Sequence, residues 1–171
     1  MTFRRWLKHK RIWLYSKIVR DSGSPESVAR GWAIGMFIGC TVPFGAQLVV
    51  SIPLAILMKA SKVGAVVGTF ITNHFTIFFI YPAQVWVGSR LAGGSLGYAQ
   101  IKEVMGRVVE EQSWDSLLAL GGELTAAFFI GGVVLALVCT PVTYFAVLRS
   151  VRLHRARRGR RENALRDSPG T

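Results

Sequence analysis

Residues 31–58 read GWAIGMFIGCTVPFGAQLVVSIPLAILM, 28 consecutive residues with no Asp, Glu, Lys, Arg or His. About 20 apolar residues suffice to cross the hydrocarbon of a bilayer as a helix, so this run is a membrane signal. Its interior is broken by Pro43-Phe44-Gly45, and Pro53 follows. Proline removes a backbone donor and clashes with the preceding turn, while glycine weakens a helix. The stretch is therefore either one kinked span or two half-helices of about 12 residues joined at residues 43–45. Each half would be roughly 18 Å long, about half a bilayer. Interrupted helix at that depth is tolerated only where protein or a cavity shelters it.

Working outward, the chain of 171 residues fits one domain. It is 51% hydrophobic and carries a net charge of +12. Position reconciles the two. Arg4, Arg5, Lys8, Lys10, Arg11, Lys17 and Arg20 precede the apolar middle, and Arg149, Arg152, Arg155, Arg157, Arg158, Arg160, Arg161 and Arg166 follow it. Basic flanks of this kind mark cytoplasmic segments. Because the apolar middle already accounts for them, lipid is preferred over nucleic acid as the partner. Residues 1–22 are expected to form a basic amphipathic helix, with Phe3, Trp6, Leu7, Trp13, Leu14, Ile18 and Val19 opposite Lys and Arg. Such a helix suits an anionic membrane surface or the protein's own cytoplasmic side.

Ser24-Pro25 reads as an N-cap and first helical position, so a helix is expected to start there. Arg30 is the last charge before the apolar run. It is read either as snorkelling to the interface or as facing a polar cavity. Gly31, Gly35 and Gly39 recur every four residues and leave a smooth face for a neighbouring helix. Gln47 is the strongly polar side chain of the second half of the run.

A basic break, Lys59-Ala60-Ser61-Lys62, leads into a second apolar run at 63–89, whose one potential charge at neutral pH is His74. Gly64 and Gly68 repeat the four-residue spacing. GWAIGMFI at 31–38 resembles GAVVGTFI at 64–71, a repeat at an offset of 33 that keeps both glycines, the Phe and the Ile. Thr72, Asn73, His74 and Thr76 place polar groups inside this run, where they are costly without partners. They are read as a candidate intramembrane site or as a helix cap. Tyr81-Pro82 adds a kink position.

Residues 90–123 mix both charge signs and read as an extramembrane segment with short amphipathic helices at 98–112 and 114–121. Glu110 and Glu111 do not make a paired-carboxylate site, since adjacent helical residues face different ways. Residues 124–148, LTAAFFIGGVVLALVCTPVTYFAVL, form a third charge-free run, with Gly131-Gly132 a packing contact and Pro141 a kink position. The basic segment 149–171 follows as a cytoplasmic tail whose Arg run can meet anionic headgroups.

The expected fold is all-α: a polytopic integral membrane protein with interrupted or re-entrant helices and amphipathic cytoplasmic flanks. Residues 1–22 form the first flank, 23–148 the membrane domain and 149–171 the tail. Both termini are placed in the cytoplasm, so the number of full crossings is even although three runs exist. The preferred arrangement has 31–58 enter and return at Pro43–Gly45, keeping Lys59 and Lys62 cytoplasmic, while 63–89 and 124–148 cross. The rival turns 63–89 back at Asn73-His74.

Ser24-Pro25, Gly31-x-Ala33-Ile34-Gly35-x-Phe37-Ile38-Gly39, Pro43-x-Gly45-x-Gln47, Gly68-Thr69, Thr72-Asn73-x-x-Thr76 and Gly88 together resemble the bacterial membrane proteins called domain of unknown function 2062. The resemblance covers roughly residues 24–94 and, more loosely, the last helix. His74 stands where that family's pattern has proline. The resemblance implies a small polytopic bacterial inner-membrane protein and supplies no activity.

Two roles follow as expectations. One is a transporter or lipid-handling protein with Arg30, Gln47, Asn73, His74 and Thr76 around a polar site between interrupted helices. Helix N-termini there would favour a small anion or a phosphate-bearing lipid. The other is a non-catalytic scaffold binding membrane proteins or further copies of itself. No nucleophile–base pair, metal-ligand spacing or phosphate-cradling loop is legible, and Cys40 and Cys139 sit singly in apolar runs. No enzyme activity, cofactor or metal is therefore expected.

Overall fold

The computed structural model describes residues 23–43, 45–70, 76–95, 97–111, 114–119 and 121–166, all helix, turn or loop. The amphipathic helix expected at 1–22 and the site candidates Asn73 and His74 lie outside these residues. Eight helices are described: α1 Pro25–Thr41, α2 Gln47–Leu57, α3 Lys62–Thr69, α4 Ile77–Leu91, α5 Tyr98–Val104, α6 Gly106–Glu111, α7 Trp114–Leu118 and α8 Gly122–Arg166.

α1 starts where the sequence punctuates it. The Ser24 hydroxyl accepts from the Ser27 N–H at 3.1 Å and Pro25 opens the first turn. It ends because Val42 precedes Pro43. Proline crowds the preceding residue out of the α region, and Val42 is extended, with φ −109° and ψ 129°. Gly45 then takes φ 99°, a conformation open to glycine at little steric cost.

α2 has 11 residues and keeps Pro53 inside it. It closes in a Schellman turn: Lys59 adopts φ 50°, the Ala60 N–H reaches the Ala55 carbonyl at 2.8 Å, and the Lys59 N–H reaches the Ile56 carbonyl at 3.1 Å. α3 is capped by the Ser61 hydroxyl, which accepts from the Gly64 N–H at 2.7 Å. α4 contains Pro82 and ends on a second turn of the Lys59 kind, with Gly93 at φ 85°.

The contacts fix the directions. The chain returns from α2 to its own start: the Ser61 N–H donates to the Ser27 carbonyl at 3.0 Å, and Arg30 Nη2 to the Lys59 carbonyl at 3.5 Å. α1 and α2 are thus an antiparallel hairpin, the chain reversing between Thr41 and Gln47. α3 then runs parallel to α1, with Gly64 against Val28 and Trp32 and Gly68 against Trp32 and Gly35. α8 is antiparallel to α1. Glu26 meets Arg152 at one end, Val28, Ala29 and Trp32 pack with Val147 and Val151, and Cys40 meets Gly132 at the other.

The remaining core joins α4 to α8 and folds the short helices over them. Ile77, Tyr81 and Val85, one turn apart, pack with Ile101, Met105, Val108, Leu117, Ala127 and Phe128. Tyr81 and Phe128 meet edge to face at 5.0 Å between ring centres.

α8 has 45 residues, roughly 67 Å at 1.5 Å per residue. Among the described residues it is the one helix long and apolar enough to cross a membrane. It departs from the expected partition, because it starts at Gly122 and passes through the 148/149 boundary without a break. Arginine and alanine are strong helix formers, so the change from apolar to basic composition alters the surroundings the helix suits without ending it. Pro141 is likewise contained within it.

Candidate functional site

The candidate residues fall at two ends of the α1–α3 unit. At the end where α1 begins, Arg30, Lys59 and Lys62 are exposed together. The Lys59 carbonyl accepts from Ser27 Oγ at 3.3 Å and from Arg30 Nη2 at 3.5 Å, so Arg30 ties α1 to the α2–α3 turn. α8 adds its basic segment at this end. Arg152 pairs with Glu26 at 2.7 Å, and Arg155 donates to the Gly23 carbonyl at 2.6 Å. The bond from Arg152 is the main cause holding the Glu26 carboxyl below its ordinary value of 4.5.

At the other end Gln47 is 4% exposed. Its Nε2 donates to the Gly39 carbonyl at 3.2 Å and the Val42 carbonyl at 2.9 Å. These carbonyls belong to the terminus of α1, where helix geometry supplies no partner. Gln47 therefore closes the hairpin by satisfying the end of α1. Arg30 and Gln47 are not brought together, since nine residues of α1 separate Arg30 from Gly39, about 14 Å along the axis. Pro43 is buried in the turn and Gly45 is exposed. Thr76 is the half-buried N-cap of α4, beyond the segment holding Asn73 and His74.

Between these ends the interior is polar at a few points. Gln47, Ser51 and Ala55 form the buried face of α2 at four-residue spacing. Thr69 on α3 is 3% exposed and donates to the Val66 carbonyl at 2.7 Å. Ser51 is fully buried and its hydroxyl has no partner among the described residues.

The glycines determine how closely the helices approach. A Cβ on Gly31 would strike the Ser61 backbone, and one on Gly35 would sit 2.7 Å from the Gly68 Cα. A Cβ on Gly68 would lie 2.6 Å from the Trp32 carbonyl oxygen and 3.0 Å from the Gly35 Cα. Gly64 backs onto Trp32 and Val28. Gly39 serves differently, through the carbonyl that Gln47 takes. Gly35 and Gly68 are matched glycines of the 33-residue repeat and meet directly, while the matched pair Gly31 and Gly64 pack against Ser61 and against Trp32 and Val28, so the glycine faces of the two copies pack in parallel. A second close contact joins α4 to α8, where Gly88 lies against Ala127 and Gly131 against Gln84.

Gln84 is the residue that reading by charge misses. It is fully buried and donates from Nε2 to the Phe128 carbonyl at 2.8 Å, while its Oε1 has no partner among the described residues. An uncharged amide in the middle of an apolar run was the available signal, because burying half an amide unpaired is costly. Pro82, two residues earlier in α4, is also buried.

Among the described residues no group of three His, Cys, Asp or Glu side chains is placed to hold a metal. No curated protein and no solved structure matches the chain. One family does match, over residues 5–160, and the chain belongs to it: the family described as uncharacterized protein conserved in bacteria (DUF2062).

Proposed function

We propose that the protein is a multi-pass bacterial inner-membrane protein in which α1 and α2 form a re-entrant hairpin. In this reading it handles a small anion or the phosphate headgroup of a lipid and is not an enzyme. The observation that carries the reading is the return of the chain to Ser27 and Arg30 after α2. At 11 residues α2 is about 17 Å long, too short to cross a hydrocarbon core of about 30 Å. Its outward face is nevertheless apolar, with Leu48, Val49, Val50, Ile56 and Leu57 exposed. α8 exposes Val133, Leu137, Val138, Val142 and Phe145 in the same way. Contiguous apolar surface of this kind suits acyl chains and not water.

The exposed cations Arg30, Lys59, Lys62, Arg149 and Arg152 gather at one end of the bundle. By the positive-inside tendency that end is cytoplasmic. It offers anionic headgroups and small anions a charged entry to the hairpin. Residues 63–89 and 124–148 supply the two full crossings.

The orientation is tested with single cysteines at Lys59, Lys62 and Arg157 in a chain whose Cys40 and Cys139 are replaced by serine. An impermeant maleimide should label all three in inside-out vesicles and none in intact spheroplasts. Labelling of position 59 from the outside sinks the hairpin. The activity is tested in proteoliposomes with radiolabelled phosphate and with fluorescent phosphatidylglycerol. Transfer of neither, with wild-type protein correctly inserted, removes the transport and lipid-handling reading. The exposed stripe of α8 favours a second reading, a scaffold for membrane proteins or further copies of this chain. A stoichiometric partner after mild detergent extraction supports it.

A further inference from the structure

α8 outlasts the bundle it packs in. Val147 and Val151 are still buried against α1, and Arg155 reaches the Gly23 carbonyl at 2.6 Å. Residues 156–160 are then exposed one after another. Five residues make more than a full turn, so no side of the helix is covered there. The helix nevertheless runs on to Arg166.

Its sequence from 154 to 166, HRARRGRRENALR, has no apolar stripe and no aromatic anchor, so this segment is not built to lie in a membrane surface. Nor do headgroups reach its length from below. Arg160 lies eleven residues past Arg149, about 16 Å along the axis. With the charge-free run ending at the hydrocarbon edge, headgroups occupy roughly 5–8 Å of that distance. The remainder is about a Debye length at physiological salt. The chain supplies few counter-charges of its own. Residues 1–20 contain no Asp or Glu, and Glu103, Glu110, Glu111, Asp115 and Glu123 precede the apolar part of α8, at its opposite end. Arg157 repels Arg160 and Arg161 at spacings of three and four, and Gly159 weakens the helix further. A polyanion relieves that repulsion.

The arrangement favours one kind of polyanion. From residue 149 on, every Lys or Arg position is Arg, whose planar fork matches phosphate oxygens in pairs. At about 100° per residue, the exposed Arg158 and Arg160 stand on opposite sides of the helix. A helix about 10–12 Å across with arginines on opposite sides fits between two rows of phosphates, as in a duplex major groove about 12 Å wide. An acidic protein surface or a headgroup plane meets one side of it alone. We propose that α8 beyond Arg155 is a docking helix for duplex nucleic acid, gripping the phosphate backbone and not reading base sequence.

The test uses the full chain in phosphatidylcholine nanodiscs, where both faces meet solvent, so neither transport nor orientation enters the readout. Fluorescence anisotropy of a labelled DNA duplex should give a dissociation constant of about 1–100 µM at physiological salt, with a steep loss of affinity as salt rises. Arg157→Gln/Arg160→Gln should weaken binding about tenfold and flatten the slope of log K against log salt by about 1.8, or 0.9 for each phosphate contact. Lys59→Gln/Lys62→Gln removes the same charge from the bundle's end and should weaken binding less than about threefold. All four positions are exposed, so both variants should fold. No binding, or equal losses in the two variants, overturns the docking helix. Polyglutamate binding as tightly as the duplex overturns it in favour of an acidic protein. A polarity-sensitive dye on Gly159→Cys, with Cys40 and Cys139 replaced by serine, should keep its water-exposed emission when phosphatidylglycerol is added to the nanodisc. A blue shift there lays the segment on the bilayer and overturns the proposal as well.

Discussion

Gly35 and Gly68 pack backbone to backbone where the parallel helices α1 and α3 cross, each leaving the other no room for a Cβ. They are matched positions of one repeat, so the same small-residue spacing forms both sides of the contact. Close approach of the two backbones and the dispersion contacts it permits hold such a pair together.

Gly35→Ala and Gly68→Ala should each destabilise the fold by about 1–3 kcal/mol, because the atoms they meet are backbone and cannot rotate away. Gly35→Leu should cost more. Gly159→Ala is the control. It is helical with open space around it, and alanine there should be neutral or stabilise by up to about 1 kcal/mol. Thermal unfolding in one detergent ranks the four variants.

Gly45 isolates conformation from crowding. A Cβ there meets nothing within 4 Å, but the backbone sits at φ 99°. Gly45→Ala should lower stability by about 1–2 kcal/mol through backbone strain alone. Gly45→Asn, better tolerated at positive φ, should cost less than Gly45→Ala.

Gln47→Leu should cost about 1–3 kcal/mol, because a buried carbonyl at Gly39 and a half-buried one at Val42 lose their donor. Gln47→Glu should cost more at neutral pH, where the carboxylate cannot donate and repels both. Its deficit should shrink as the pH is lowered and the side chain regains a proton. Unfolding curves at about pH 7 and pH 5 check both.

The pair of Glu26 with Arg152 makes an exposed clasp between the start of α1 and α8. Because Glu26 is depressed below 4.5 in the folded protein, its contribution is complete above that value. It is lost as the pH falls through the lower folded value. Stability of the wild type should therefore drop between about pH 5 and pH 3 more than that of Glu26→Gln. The difference should shrink in high salt, as for any exposed pair.

Local chemistry carries much of this fold on the surface of the sequence. Ser24-Pro25 announces α1 because a hydroxyl cap and a fixed φ need no distant partner. Val42-Pro43 ends it because the clash is between neighbours. The three charge-free runs stand out because charge is costly in an apolar medium. The same local rules say nothing about what crosses the space between helices. That Gly35 and Gly68, matched positions of the repeat, lie side by side, and not at opposite ends of the bundle, depends on the length and direction of α2. That Gln47 closes α1 while Arg30 clasps Lys59 depends on the hairpin turning back. Gln84 is one amide in an apolar run until α8 places Phe128 and Gly132 against it. Only then does half of it lose water without gaining a partner. Periodicity and caps are properties of a segment, whereas burial and pairing are properties of two segments at once, and tertiary packing alone decided those.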